Sequence, residues 1–436
     1  MREPAKILVV GGGYVGLYTA LRLQKRLKLS QGEATITVVE PNSYMTYQPF
    51  LPEAAAGSLE PRHVVVPLRS VLRGCRVISG RVTKLSHEAH KATIEPLDGE
   101  SFEFDYDHVV MAAGSIARTL PIPGLIDVGI GFKTIEEAVY LRNHILARLD
   151  AASSTLNAED KNRALTFLFI GGGYAGIECI AELEDLARSA IKYYDNITAE
   201  DMRWVVVEAT GRILPEVSEG LGVYTVKQLE SRGIEVRLNT RVESLLDGEV
   251  ILDEGTKFSA DTIVWTAGVK ANPVLGRTDF PLDEKGRLKA EADLRIMGLH
   301  DAWTAGDIAA VPDLSKPELA YCGPSAQHAV RQSKVLADNI VRQLRGQPLK
   351  NYKHAYAGSV ASLGLYKGVA EIYGIKLRGF PAWFMHRTYH MSRVPTLNRK
   401  VRVIADWTLA LFFPREITSL GQTEDPHKAF RSAADS

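Results

Sequence analysis

"LTFLFIGGGYAGIE", Leu165 to Glu178, sets an apolar run against a glycine loop and then a helix-forming stretch. Near the N-terminus "AKILVVGGGYVGLYTA" has the same arrangement, with Gly11, Gly13 and Gly16 where Gly171, Gly173 and Gly176 stand later in the chain. In a strand, G-x-G-x-x-G, helix turn the first glycine makes the tight bend and the second lets backbone approach a pyrophosphate. The third lets the helix pack on the strand, and the amides opening the helix hold the phosphate charge. A carboxylate at the end of the next strand accepts from ribose hydroxyls and repels a 2′-phosphate. Glu40 closes "TITVVE" and Glu208 closes "WVVVE" in those positions. Glu208 thus favours NADH over NADPH, with Arg212 close enough in sequence to argue the other way.

Two such loops in one chain imply two different dinucleotides, and the pair whose reactive rings have reason to meet is a flavin and a nicotinamide. The bulk composition agrees with a soluble α/β protein. A chain of 436 residues, 45% hydrophobic and 24% charged, is too long for one core. Lys and Arg balance Asp and Glu at 52 each, which argues against a nucleic-acid partner. The three cysteines, Cys75, Cys179 and Cys322, have neither C-x-x-C nor metal-ligand spacing, so no disulfide framework and no metal are expected. A strand by residue 6 leaves no room for a signal peptide, and no apolar run reaches the roughly 18–20 residues of a spanning helix. A cytoplasmic location without a transmembrane span is the expectation.

The fold expected is α/β, with two Rossmann-like dinucleotide-binding domains, the second inserted in the first, and a C-terminal helical segment at a membrane interface. Continuous apolar strands such as "KILVV" and "ALTFLFI" predict parallel sheets covered on both faces. Residues 1–124 and 269–349 are assigned to the first domain and 162–268 to the second. The helical, polar stretch 125–161 reads as a connector, and 350–436 as a membrane-anchoring or dimerisation segment. The inserted order follows from where the ligand loops fall along the chain.

The ordered set "GGGYVGLYTA", "VVMAAGS", "GGGYAGIE", "VWTAGV" and "WTAGDIAA" resembles the two-dinucleotide-domain flavoproteins over about Ile7 to Gly346. That resemblance implies FAD on Gly11, Gly13, Gly16 and Glu40, with Asp307 on its ribityl chain and the turns at Ala112–Ala113–Gly114 and Thr266–Gly268 closing the domains. Within that group "RNHIL" (Arg142–Leu146), "GGGYAGIE", "PSAQHA" (Pro324–Ala329) and "GFPAWF" (Gly379–Phe384) resemble type II NADH dehydrogenases, single-subunit NADH:quinone oxidoreductases. The resemblance implies NADH on Gly171, Gly173, Gly176, Glu208 and Gly268, with Glu178 near flavin and nicotinamide. It further implies Ala326 and Gln327 beside the flavin at a quinone site, and Pro49 and Gln48 in "NSYMTYQPFLPEAAAG" lining the flavin. The chain departs from the family pattern A-Q-x-A-x-Q, carrying Arg331 in place of the second glutamine and Gln332 one residue late. This bears on the acceptor, menaquinone or ubiquinone, more than on the NADH half-reaction.

Other acceptors stay open at this point. Cys179 and Cys322 could imitate the separated cysteines of sulfide:quinone oxidoreductases, although a small apolar role suits Cys179 better. Arg331 suggests a soluble NAD(P)H diaphorase or carrier reductase, and a non-catalytic NADH/NAD⁺ sensor would need the same two loops. In the late segment Gly379–Ile417, Trp383, Phe384, Tyr389, Met391, Trp407, Leu409, Leu411, Phe412 and Phe413 lie beside Arg387, Arg393, Arg399, Lys400 and Arg402. Aromatic and basic residues in runs too short to span fit helices lying on the cytoplasmic face of a membrane, each cation contributing about 1 kcal/mol near an anionic leaflet. A homodimer would use the same apolar stripe.

Overall fold

The computed structural model describes residues 3–318, 320–354 and 358–420. The chain divides into two compact units, the first built from 1–46, 65–118 and 269–356 and the second from 47–64, 119–268 and 357–436. The second unit's central stretch therefore interrupts the first, as the order of the motifs implied.

In the first unit five parallel strands run in the spatial order Ala302–Thr304, His108–Met111, Ala5–Val10, Ala34–Glu40 and Arg76–Ser86. Antiparallel strands Lys91–Pro96 and Phe102–Asp105 extend it. Leu8 and Val9 on the central strand are both fully buried, the mark of a parallel sheet with helices on both faces. The helix Tyr14–Arg26 crosses one face and packs against the late helix Ala326–Leu344. Arg22 grips Asp338 of that helix through two parallel bonds of 2.8 and 2.6 Å. Residues far apart in sequence are thus tied into one layer.

The second unit repeats the plan with five parallel strands in the order Gly129–Gly131, Thr262–Trp265, Thr166–Ile170, Arg203–Glu208 and Ile234–Leu238. Phe167 stacks on Trp204 at 4.2 Å between ring centroids. The helix Ile135–Ser154 starts with a capping box in which Thr134 and Glu137 satisfy each other's backbone amides, and its Leu141, Ile145 and Leu149 are buried.

After residue 357 the sequence reading anticipated helices only. The structure first forms an antiparallel sheet, Gly358–Ser362, Gly368–Ile372 and Ile375–Arg378, and then the helices Phe380–Arg393 and Leu397–Leu409. The last hairpin turns on Tyr373–Gly374, both at positive φ, a two-residue geometry matching strand twist. These strands are short and carry little periodic hydrophobicity, so the sequence hid them. Residues 421–436 of the expected C-terminal segment lie outside the described residues.

Candidate active site: two glycine loops and a buried acid cluster

Gly11 adopts φ +105° and Gly171 φ +116°, conformations open to glycine and strained for other residues. A Cβ on Gly16 would collide with the Gly11 carbonyl, and one on Gly176 with the Gly171 carbonyl, whereas Cβ atoms on Gly13 and Gly173 would meet nothing within 4 Å. The outer glycines therefore serve packing and the middle ones face open space, the cradle a pyrophosphate requires. Among the described residues neither following helix carries a side-chain cap or an acidic residue in its first turn, so the opening amides keep their positive potential for an anion.

Each loop grips its acid the same way. Glu40 Oε2 accepts from the Gly12 amide at 2.6 Å, and Glu208 Oε2 accepts from the Gly172 amide at 2.6 Å. Asn42 N–H donates to the other Glu40 oxygen, and Thr210 N–H and Oγ–H to the other Glu208 oxygen. Burial raises the Glu40 carboxyl above its ordinary value, and the Gly12 and Asn42 amides oppose that rise. Beyond Glu208 a cavity is lined by Gly211, Arg212, Ile213, Gly222, Val223 and Leu238. The Arg212 guanidinium is tied to the Val217 carbonyl.

In the first unit Gly11 abuts Ala112–Ala113, and Gly306 faces Val15 of the first helix. Ser115 Oγ donates to Asp307 at 2.6 Å. The Gly306 amide donates to Gln332 Oε1 at 2.8 Å, so Gln332, buried one place after the family position, holds the loop that carries Asp307. Gly114 stands at φ +67° beside the strand Ser115–Ala117, which pairs with Val269–Ala271. Ser325 caps the helix that begins at Ala326, accepting from the His328 amide. Gln327 follows in its first turn, half-buried, and His328 pairs with the Tyr352 hydroxyl at 2.8 Å. One turn on, Arg331 holds Nη1 buried with no hydrogen-bond partner among the described residues. In the second unit Thr266 Oγ donates to the carbonyls of Ile170 and Gly171, bracing the second loop beside Gly268. Pro49 groups with the second unit, on the turn Gln48–Phe50.

Glu178 lies in the helix Tyr174–Ala190 with Glu182 one turn on, and both are buried. The Ser362 amide donates to Glu178 at 2.8 Å and its hydroxyl to Glu182 at 3.0 Å. His386 Nε2 stands 3.1 Å from Glu178, at ion-pair distance without hydrogen-bond alignment. Arg415 pairs with Glu182 at 3.3 Å. Arg387 pairs with Glu53 at 3.0 Å and is sandwiched between the rings of Trp383 and Trp407, while Trp407 also donates to Glu53 at 2.7 Å. Burial, the largest influence, pulls His386 down, but the Glu178 carboxylate, with Glu53 and Glu182, raises it above the ordinary histidine value. Burial likewise raises Glu182, opposed by Arg415, and burial with the His386 charge drives His390 well below its ordinary value.

Glu53, Glu182, Ser362, His386 and Arg415 were not singled out in sequence. A signal existed: acids at i and i+4 inside "GIECIAELEDLA" and histidines at i and i+4 in "HRTYH", spacings that share a helix face. The structure also corrects the membrane-facing list, because Trp383 and Arg387 are buried and Trp407 points its N–H inward. Of that list Phe384, Leu409, Leu411, Phe412 and Phe413 are exposed, and Phe380, Leu397, Val401 and Ile404 join them. The cysteines are poor nucleophiles: burial pushes the thiol of Cys75 up to about 12, that of Cys322 to about 11 and that of Cys179 well above its ordinary value.

The pyridine nucleotide-disulphide oxidoreductase family matches residues 5–333, about three quarters of the chain, and this defines the class. A type II NADH:quinone oxidoreductase of Staphylococcus haemolyticus is 32% identical over 391 residues, covering 88% of this chain and 94% of that protein. A probable NADH dehydrogenase of Dictyostelium discoideum is 27% identical, covering 96% and 92%. The structure of NDH2 from Plasmodium falciparum in complex with NADH superimposes with a TM-score of 0.88 at 17% identity, covering 95% of this chain and 100% of that one, which speaks to fold. The chain belongs to the type II NADH:quinone oxidoreductases of this class.

Proposed function

We propose that this enzyme binds FAD on the first glycine loop and NADH on the second, and reduces a membrane quinone, menaquinone in our reading, without moving protons across the bilayer. The observation that carries the reading is the duplicated cradle, each with a glutamate on the amide of its G-x-G middle residue. The same cradle fits both dinucleotides, since Gly13 and Gly173 leave open space where a pyrophosphate would lie. Bound FAD would supply acceptance of a hydride from NADH and release of two electrons to quinone.

In this reading residues 1–124 and 269–349 bind FAD, 162–268 bind NADH, 125–161 connect, and 350–436 anchor and dimerise. Gly11, Gly13, Gly16, Glu40, Pro49, Ala113, Gly114, Asp307, Ala326 and Gln327 hold FAD. Gly171, Gly173, Gly176, Glu208 and Gly268 hold NADH, and Glu178 orients the nicotinamide edge. Gln327 and Arg331 face the quinone, where the unpartnered Arg331 Nη1 would donate to a quinone oxygen.

Peripheral attachment to the cytoplasmic face of the cell membrane is supported by Leu397, Val401 and Ile404, an exposed apolar stripe on one helix, beside Arg402. Truncating the segment is a poor test, because it would strip His386 from Glu178 and Arg387 from Glu53. The better variant is Val401→Asp with Ile404→Asp, which should leave flavin content intact and abolish sedimentation with anionic vesicles.

The enzyme itself is tested by purifying the chain, reducing it anaerobically with NADH, and adding menaquinone and ubiquinone analogues in turn. Bleaching of a flavin spectrum followed by recovery with a quinone is expected. Colourless protein that takes up no added FAD would sink the reading, and reoxidation by soluble carriers alone would favour a diaphorase.

A further inference from the structure

His87 and His90 sit on the turn joining strands Arg76–Ser86 and Lys91–Pro96, and Asp301 immediately precedes the strand Ala302–Thr304. All three belong to the first unit, where Asp301 lies at the amino-terminal end of the parallel sheet, opposite the glycine loop. His87 Nε2 is 3.0 Å from Asp301 Oδ1, and His90 Nε2 is 3.4 Å from Asp301 Oδ2. The three ligand atoms form one group.

For His90 the other ring nitrogen decides what faces the carboxylate, whereas His87 Nε2 is within hydrogen-bond reach of Asp301 Oδ1 and the Tyr106 hydroxyl serves either of its tautomers. His90 Nδ1 lies 3.2 Å from the Tyr106 carbonyl oxygen, and His87 Nδ1 lies 3.2 Å from the Tyr106 hydroxyl. A carbonyl only accepts, so His90 Nδ1 carries the hydrogen and a neutral ring presents a bare Nε2 lone pair to Asp301. Two electron-rich atoms at that distance repel unless a cation lies between them. An imidazole held through its second nitrogen by a carbonyl or hydroxyl is the outer arrangement that orients a metal ligand.

The turn is built to hold this geometry. Asp279 accepts from the amides of His87 and Glu88 at 2.8 and 3.0 Å, and the His90 amide closes back on the His87 carbonyl. His90 itself stands at φ +53°, a left-handed turn conformation that histidine adopts more readily than most residues other than glycine. In a tetrahedral site with bonds of about 2.0–2.1 Å, neighbouring ligand atoms lie about 3.3 Å apart; the two histidines stand 3.0 and 3.4 Å from different oxygens of Asp301, so a small turn of the carboxylate brings one oxygen to both.

We propose that His87, His90 and Asp301 bind a divalent transition metal of the zinc type, with the fourth position taken by water. Two imidazoles and one carboxylate suit zinc, cobalt or nickel and disfavour magnesium or calcium. The ion pins the hairpin to the end strand of the sheet. His87 is buried while His90 and Asp301 reach solvent, which gives the ion a route in. The cysteine spacing that argued against a metal says nothing about this histidine pair.

The test uses the full-length, flavin-loaded protein, stripped with EDTA, dialysed and titrated with Zn²⁺ by calorimetry and with Co²⁺ by absorption. The wild type should take up about one equivalent with a tetrahedral Co²⁺ spectrum and a raised Tm. His90→Ala, at a half-exposed position, and Asp301→Asn should each weaken binding by about tenfold or more while keeping flavin content and the NADH oxidation rate. No saturable uptake by the wild type, or equal affinity in His90→Ala, would overturn the site and leave a proton as the cation between the rings and Asp301.

Discussion

The Ser362 amide donates to Glu178 across 184 residues of sequence, at 2.8 Å. A strand end of the C-terminal sheet thereby supplies a hydrogen bond to an acid two residues after the last glycine of the second loop. The Ser362 hydroxyl reaches Glu182 as well, so one serine satisfies two buried carboxylates. Ser362→Ala should keep the first bond and lose the second, lowering stability by about 1 kcal/mol in denaturant titration with flavin content unchanged. Glu178→Gln should lower kcat for quinone reduction by about tenfold or more; equal kcat would remove Glu178 from the reacting centre.

Gly16 and Gly176 are packing glycines, and adding a methyl to either forces it onto a backbone carbonyl. Overpacking of this kind costs about 1–3 kcal/mol. Gly16→Ala should reduce the flavin content of purified protein, while Gly176→Ala should leave flavin bound and raise the KM for NADH. The reverse pattern would exchange the roles of the two loops.

Glu208→Gln keeps the shape that receives the Gly172 amide and removes the charge. With hydrogen bonds to a charged group worth about 1.5–3 kcal/mol, the KM for NADH should rise about tenfold. The KM for NADPH should rise less, narrowing the preference. Unchanged kinetics with both nucleotides would defeat the assignment.

His386 carries its proton to higher pH in the fold than in the unfolded chain, because Glu178 and the other carboxylates outweigh its burial. Its pairing therefore contributes stability that is complete below the ordinary histidine value and is lost as pH rises through the folded value. The Tm difference between wild type and His386→Gln should be largest in mild acid and shrink on raising the pH. A difference that grows with pH would mean His386 is neutral in the fold.

Burial keeps the three thiols protonated near neutrality. Cys75→Ser, Cys179→Ala and Cys322→Ser should each retain the wild-type rate of quinone reduction by NADH and show no sulfide oxidation. Loss of activity in Cys179→Ala or Cys322→Ser with the fold intact would revive a redox role for the cysteines.

The glycine loops were legible because each is a local event: an apolar strand, a bend only glycine adopts easily, and a helix start lie within about twenty residues. Glu40 and Glu208 were legible for the same reason, since strand length fixes where the next carboxylate must fall. Gln332 illustrates the limit. Its offset from the family position was plain, yet its bond to the Gly306 amide depends on how the late helix packs. Trp383, Arg387 and Trp407 read as surface groups by composition and proved to be a buried cation between two rings over Glu53.

The sequence by itself determined that this chain folds two parallel α/β sheets, each ending in a phosphate-type cradle with an acid beside it, because strand period, glycine spacing and strand-end charge act over short range. Only the tertiary structure decided that Glu53, Glu178, Glu182, Ser362, His386 and Arg415 form one buried network and that His87, His90 and Asp301 converge. A charge removed from water demands a partner, and the chain meets that demand with residues hundreds of positions away, which no local pattern specifies.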